Sequence, residues 1–136
     1  MASPELSVPQ RPPMLLLERL VRADERSCAV QARVDGQAWY ADGSGAMPGW
    51  FGLELMAQAI SAYQGARGRD GGPRPGYLLG TRSYRCAVAA FPAGAVLEVT
   101  ALLQDADPSG VSAFACEIRL GGEPVAQAVL KVFDRP

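Results

Sequence analysis

The residues best suited to chemistry lie in one short segment, Met47–Gln58, which reads MPGWFGLELMAQ. A Pro-Gly pair opens an apolar stretch, and Glu54 places a carboxylate among apolar neighbours. A carboxylate in such surroundings is rarely buried without a partner, and a perturbed acid often marks a site. The sequence contains no histidine, so the side chain that most often transfers protons near neutral pH is missing. Glu54 is therefore the leading candidate for proton chemistry.

This segment is predicted to begin the one long helix of the chain, over Gly49–Gln64. Pro48 suits the first position of a helix, and Gly65 suits a C-terminal cap. Apolar residues recur at helical spacing, and the polar interruptions are few: Glu54, Gln58, Ser61 and Gln64. A helix that is apolar nearly all round is buried nearly all round.

Strand patterns surround this helix. Alternation predicts a strand over Ser27–Val34. Four more strand-like segments follow the helix, at Tyr77–Ala89, Val96–Asp105, Val111–Leu120 and Pro124–Phe133. Asp107–Gly110 and Gly121–Gly122 predict hairpin turns between the last three. The expected fold class is α+β, with one helix packed on a curved sheet whose last four strands follow one another in antiparallel succession.

Length and composition narrow the class of protein. The 136 residues fit a single domain, which is expected to span 14–136. It follows an extended, proline-rich lead-in over 1–13. The segment Met14–Val21 is expected to be buried as a short helix or strand. A net charge of −1 argues against binding to nucleic acid or a membrane surface. No apolar run is long enough to span a bilayer and no secretory signal is visible, so a cytoplasmic protein is expected. Cys28, Cys86 and Cys116 lack metal-ligand spacing and are predicted to be core residues, with no metal site.

Three stretches resemble the β-hydroxyacyl-acyl-carrier-protein dehydratases. Met47-Pro48-Gly49 followed by Glu54–Gln58 (ELMAQ) is similar to the Pro-Gly turn and Glu-x-Met-Ala-Gln helix of that family. Pro9–Arg19 (PQRPPMLLLER) resembles its Leu-Pro-His-Arg lead-in, with Gln10 in place of a histidine that is not the catalyst. Gly76–Gly80 followed by Tyr84-Arg85-Cys86 is similar to a divergent ApeP-like branch, whose members accompany aryl-polyene gene clusters. The resemblance implies a hotdog fold, in which a curved antiparallel sheet wraps one long helix.

The resemblance also shows what this chain lacks. In the family a catalytic histidine lies fourteen residues before the helix acid, and that position here is Tyr40. The acid itself carries over to Glu54. A phenol keeps its proton at neutral pH and is a poor base, whereas Asp42, two residues further on, is a better candidate. The candidate catalytic residues are therefore Glu54, Tyr40 and Asp42.

The implied reaction is dehydration of a 3-hydroxyacyl thioester, in fatty-acid or aryl-polyene-type biosynthesis and without a cofactor. It needs a base that removes an α-proton and an acid that protonates the leaving hydroxyl. The chain could be the His-less subunit of a heterodimer with a His-bearing hotdog paralogue, or a homodimeric enzyme that uses Glu54 with Asp42 or Tyr40. It could also be a hotdog thioesterase that uses a helix carboxylate, or a non-catalytic subunit that binds acyl carrier protein.

Four residues are candidates for substrate binding. Gly49 would let backbone approach a developing oxyanion at the helix start, and Trp50 would line an acyl-chain pocket. Gln58 occupies a position that often touches the site in the resembling family. Arg82 belongs to a group of arginines that either faces solvent or docks an acidic carrier protein or a pantetheine phosphate: Arg67, Arg69, Arg74, Arg82 and Arg85. The substrate would be an acyl thioester on acyl carrier protein or coenzyme A, and the assembly at least a dimer.

Overall fold

The protein is represented by a computed structural model that describes residues 5–67 and 76–134. One helix lies against an antiparallel sheet. The elements in chain order are β1 (Arg19–Ala23), β2 (Ser27–Arg33), β3 (Met47–Pro48), a 3₁₀ turn (Gly49–Phe51), α1 (Gly52–Arg67), β4 (Gly76–Cys86), β5 (Ala90–Phe91), β6 (Val96–Ala106), β7 (Val111–Leu120) and β8 (Glu123–Asp134).

The main sheet has six strands in the order β1-β2-β6-β7-β8-β4, and every neighbouring pair is antiparallel. The predicted hairpins are confirmed between β6 and β7 and between β7 and β8. The prediction that the last four strands lie side by side in chain order is wrong for β4. This strand pairs with β8 at the edge of the sheet, and β6 pairs instead with β2. β3 and β5 form a separate two-stranded pair beside the helix start.

The core lies between α1 and one face of the sheet. Along β6 the side chains alternate, so Leu97, Val99 and Ala101 are buried whereas Val96 and Glu98 are exposed. The helix contributes six apolar side chains to this core: Leu55, Met56, Ala59, Ile60, Ala62 and Tyr63. No helix in residues 5–67 and 76–134 is long and apolar enough to cross a membrane.

The helix differs from its prediction at both ends. Its α-helical part begins at Gly52, after the 3₁₀ turn, and it continues through Gly65 to Arg67. Gly65 is therefore not a C-terminal cap. A Cβ atom at this position would lie 2.1 Å from the carbonyl oxygen of Ser7, so the glycine allows the N-terminal lead-in to cross the helix.

The lead-in, taken from here on as residues 5–18, is part of the packed structure, and within these described residues it contains no helix or strand. Val8 is buried in the main core, as are Leu16 and Leu17. The guanidinium of Arg11 donates to the carbonyl oxygens of Val8 at 2.6 Å and Gln10 at 2.9 Å, which holds this stretch in shape. The lead-in therefore covers the side of α1 that the sheet leaves open.

We predict that Gly65→Ala destabilises the protein by about 1–3 kcal/mol, the usual cost of overpacking. Helix propensity alone would favour alanine by about 1 kcal/mol, so the sign of the change tests the close approach of Ser7. Urea unfolding measures it. Gly43→Ala is the control, because a Cβ there has no neighbour within 4 Å. Equal stability of the two variants would contradict this packing.

Candidate active site

Glu54 lies in the first turn of α1 and is half-buried. The side-chain amide of Gln58, one turn later, donates from Nε2 to Oε1 of Glu54 at 3.0 Å. One carboxyl oxygen of Glu54 is thus fixed by the protein.

Gln58 is itself held in a single orientation. It is completely buried, and its Oε1 accepts from the backbone N–H of Leu16 at 2.9 Å. Its Nε2 donates to the carbonyl oxygen of Met14 at 2.8 Å as well as to Glu54. Reversing the amide would place donor against donor and acceptor against acceptor. Gln58 therefore positions Glu54, and the predicted contact of Gln58 with substrate stays a prediction.

A pocket of about 170 Å³ opens beside Glu54. The polar residues of its lining are Glu54, Ser61 and Gln64 from α1 and Gln10 from the lead-in; Leu78 of β4 and Val132 of β8 are among its apolar residues. Glu54 and Ser61 are seven residues apart and Ser61 and Gln64 are three apart, which places each pair on one face of the helix. That spacing is visible in the sequence and could have pointed to Ser61 and Gln64, which the prediction left out, as lining residues of this pocket.

Tyr40 lies away from this pocket. Its ring is buried between Trp39 and Phe51, at centroid distances of 5.7 and 5.9 Å. Its hydroxyl accepts from the backbone N–H of Asp35 at 2.8 Å. Tyr40 lines a different cavity, of about 330 Å³, and is not among the residues that line the Glu54 pocket. Its catalytic role stays a prediction.

Asp42 stabilises a turn in the loop before β3. One oxygen, Oδ1, accepts from the backbone N–H groups of Ser44 and Ala46, at 2.8 and 3.1 Å, and from the Ser44 hydroxyl at 2.6 Å. The Ser44 hydroxyl and these N–H groups lower the pKa of the Asp42 carboxyl. A lower pKa makes a weaker base. The geometry thus favours a structural role, and catalysis by Asp42 stays a prediction.

The helix start is tightly packed. The Gly49 N–H donates to the carbonyl oxygen of Ala89 at 2.8 Å, and a Cβ at Gly49 would lie 2.8 Å from the carbonyl oxygen of Val88. Glycine is therefore needed at this position for close packing against Val88, and the N–H of Gly49 already has a hydrogen-bond partner in Ala89. Substrate contact by Gly49 stays a prediction.

Two tryptophans are exposed beside the helix start. Trp50 is 70% exposed and Trp39 is 53% exposed, and Phe51 contacts both rings at centroid distances of 5.9 and 5.5 Å. Trp50 lies in the 3₁₀ turn and is exposed, so the expectation that the segment Gly49–Gln64 is buried nearly all round is wrong at its start. The role of Trp50 in substrate binding stays a prediction.

The predicted arginine group is described only in part. Arg67 lies over the ring of Tyr63, with its guanidinium carbon 5.7 Å from the ring centroid. Arg85 is exposed on β4. Arg82 lies on β4 opposite Val129, but its side chain is not among those that the structure describes. Arg69 and Arg74 lie outside the described residues. Substrate binding by Arg82 stays a prediction.

Comparison with known proteins identifies the family. The model of the family described as ApeP-like, ApeP dehydratase, matches residues 2–136. The chain belongs to the ApeP-like family. It is also similar to a chain of the dehydratase heterocomplex ApeI:P from Xenorhabdus doucetiae, at 30% identity and a TM-score of 0.86, over 95% of this chain and 88% of that chain. A search of curated proteins finds no match.

More distant structures share the fold of this ApeP-like chain. A mutant of the phenylacetic acid degradation protein PaaI from Thermus thermophilus is 22% identical with a TM-score of 0.65, over 85% of this chain and 90% of that chain. A hypothetical thioesterase with coenzyme A from Streptococcus pneumoniae is 15% identical with a TM-score of 0.69, over 86% and 84%. The predicted hotdog fold is confirmed.

Cys28 and Cys116 of this family member are buried core residues, as the sequence predicts, whereas Cys86 is half-buried. Burial raises the pKa of the Cys28 and Cys116 thiols to about 12. Cys28 donates to the carbonyl oxygen of Ala59 at 3.2 Å, and the half-buried Cys86 donates to that of Val88 at 3.2 Å. Cys28 and Cys116 are therefore unreactive at neutral pH, since the thiolate is the nucleophile.

We predict that Gln58→Met destabilises the protein by about 1–3 kcal/mol, because the N–H of Leu16 is left buried without its partner and the Met14 carbonyl also loses its donor. Urea unfolding measures the change. Gln64→Met is the matched control: Gln64 is a buried glutamine of α1 whose side chain makes no hydrogen bond within the described part of the chain. A similar loss in both variants would show that the hydrogen bonds of Gln58 are not the cause.

Proposed function

We propose that this chain is the acid-bearing subunit of a 3-hydroxyacyl-thioester dehydratase, and that a second hotdog chain supplies the base. The observation that carries the proposal is the held carboxyl of Glu54 in a protein without histidine. Membership of the ApeP-like dehydratase family supports the reaction class. The acyl group is expected on acyl carrier protein, in fatty-acid or aryl-polyene-type biosynthesis.

The reaction divides between two groups. A base removes a proton from C2 of the acyl chain, the C2–C3 double bond forms, and the C3–O bond breaks while an acid protonates the departing hydroxyl. The products are a 2-enoyl thioester and water. Glu54 suits the acid role, since Gln58 fixes Oε1 as an acceptor and leaves Oε2 to donate. The described lining of its pocket contains no second titratable group.

A partner chain is supported by two further features. The heterocomplex ApeI:P is a two-component dehydratase with a chain that this one resembles. In addition, Trp39, Trp50 and Phe51 form an aromatic patch beside the helix that bears Glu54, and exposed aromatic residues are enriched where proteins associate. A histidine from the partner, placed against the α-proton, would complete the pair of proton-transfer groups.

Glu54→Gln is expected to reduce enoyl formation at least about a thousand-fold in the assembled enzyme, because the shape of the side chain is kept and its transferable proton is lost. Enoyl product from a 3-hydroxyacyl carrier protein is measured directly, with thermal unfolding to confirm the fold. Glu98→Gln, at an exposed position of β6, is the matched control. Near wild-type turnover in Glu54→Gln would remove Glu54 from the mechanism.

The isolated chain is expected to be inactive, and mixing with a His-bearing hotdog paralogue is expected to restore dehydration. The physical reason is that the chain supplies an acid and no histidine base. Activity is titrated against partner concentration, and free thiol release is followed in parallel. Full activity of the pure chain would favour a homodimer that uses Asp42 or Tyr40, and thiol release without enoyl product would identify a thioesterase.

A further inference from the structure

Two buried polar side chains of α1, Ser61 and Gln64, line the Glu54 pocket without a partner. Each is 7% exposed, and neither side chain makes a hydrogen bond within the part of the chain that the structure describes. Buried polar groups in native proteins nearly always have a partner, because an unpaired one is destabilising. Two unpaired groups three residues apart on one helix face therefore indicate that something else binds them.

The polar atoms of Ser61 and Gln64 can be reached from the pocket. Among the described residues, Oε1 of Gln10 is the one side-chain polar atom that lacks both a partner and accessible surface. The Ser61 hydroxyl and the Gln64 amide also lack a partner, and since they are not among such enclosed atoms they retain accessible surface. A molecule in the pocket can therefore contact both groups directly.

The pocket extends from Glu54 along α1. At a rise of about 1.5 Å per residue, Ser61 lies about 10 Å further along the helix axis than Glu54. The volume of about 170 Å³ corresponds to roughly six groups of the size of a water molecule. Apolar residues, among them Ala57 of α1 and Val132 of β8, complete the described lining. These dimensions suit a slender chain with a polar group at some distance from Glu54.

The chemistry of the lining favours an uncharged ligand group. The serine hydroxyl both donates and accepts, and the glutamine amide has a donor end and an acceptor end. The described lining contains no titratable side chain other than Glu54. A charged group beside Ser61 and Gln64 would be buried without a counter-ion, which is costly. A hydroxyl or a carbonyl oxygen would satisfy the pair without that cost.

We propose that Ser61 and Gln64 form a subsite for a second, neutral hydrogen-bonding group of the acyl chain, a hydroxyl or a carbonyl beyond C3. This inference rests on the proposed function, which places C3 at Glu54. The chain past C3 then lies against Ala57, and its second polar group reaches the pair. A plain alkyl chain would leave both residues unpaired, so the site should prefer functionalised acyl chains over alkyl chains of equal length.

A binding comparison tests this subsite. Carrier proteins are loaded with 3-hydroxyacyl chains of equal length, one alkyl and the others with a second hydroxyl at successive positions beyond C3. The chain assembled with its hotdog partner should bind the best-placed dihydroxy form about ten-fold more tightly than the alkyl form. In the double variant Ser61→Ala/Gln64→Met this preference should vanish or reverse, because apolar groups replace the two that bind the hydroxyl.

The variants are designed to keep the fold. Thermal stability should be unchanged or higher, since two unpaired buried polar groups are removed. If the double variant does not fold, Ser61→Ala and Gln64→Met are measured singly, and each should lose part of the preference. Gln127→Met, at an exposed position of β8, is the control and should keep the preference.

The possible results separate the alternatives. No preference in the wild type at any position of the second hydroxyl would show that the pair binds only water, and would overturn the subsite. An unchanged preference in the variants would overturn it as well. Weaker binding of both ligands together with weaker subunit association would assign Ser61 and Gln64 to the interface instead. Enoyl formation is scored separately, so a retained preference without dehydration would refute the proposed function and not the subsite.

Discussion

The side chain of Gln58 is the contact on which the candidate site depends. Its amide group is fully buried and forms hydrogen bonds both to the backbone of the lead-in and to the carboxyl group of Glu54. Each of these bonds fixes the direction of the others, because an amide has a donor end and an acceptor end. The acid is thus oriented by the same interaction that attaches the lead-in. Stability and function are coupled at this residue, and a change there affects both.

The two sides of α1 are covered by different parts of the chain. Its apolar residues face the sheet and form the core, whereas Glu54, Gln58, Ser61 and Gln64 lie on the side that the lead-in covers. A helix apolar nearly all round would normally be buried by the sheet and by partner elements alike. Here the second cover is a stretch without regular structure. It approaches closely because Gly65 has no side chain to keep the Ser7 carbonyl away.

Most of the fold could be predicted from periodicity, and the errors have physical causes. The strand over Val111–Leu120 and both glycine-containing hairpins follow from local patterns, and they are as predicted. The pairing of β4 with β8 and the role of Gly65 depend on contacts between distant parts of the chain. Local sequence does not contain those contacts. The acid at Glu54 was visible as a charge in an apolar run, but the unpaired acceptor of Gln10 appears only once the lead-in is packed.

Under the proposed function, the distribution of titratable groups explains why a second chain would supply the base. The elimination moves two protons, and the described lining of the Glu54 pocket has one group that can transfer a proton. Asp42 is ionised and bonded within its own turn, and Tyr40 is packed among aromatic rings next to another cavity. Neither residue is among those that line the Glu54 pocket. Under the proposed function, a retained acid with its own positioning residue is one half of a site, and the other half comes from a neighbouring subunit.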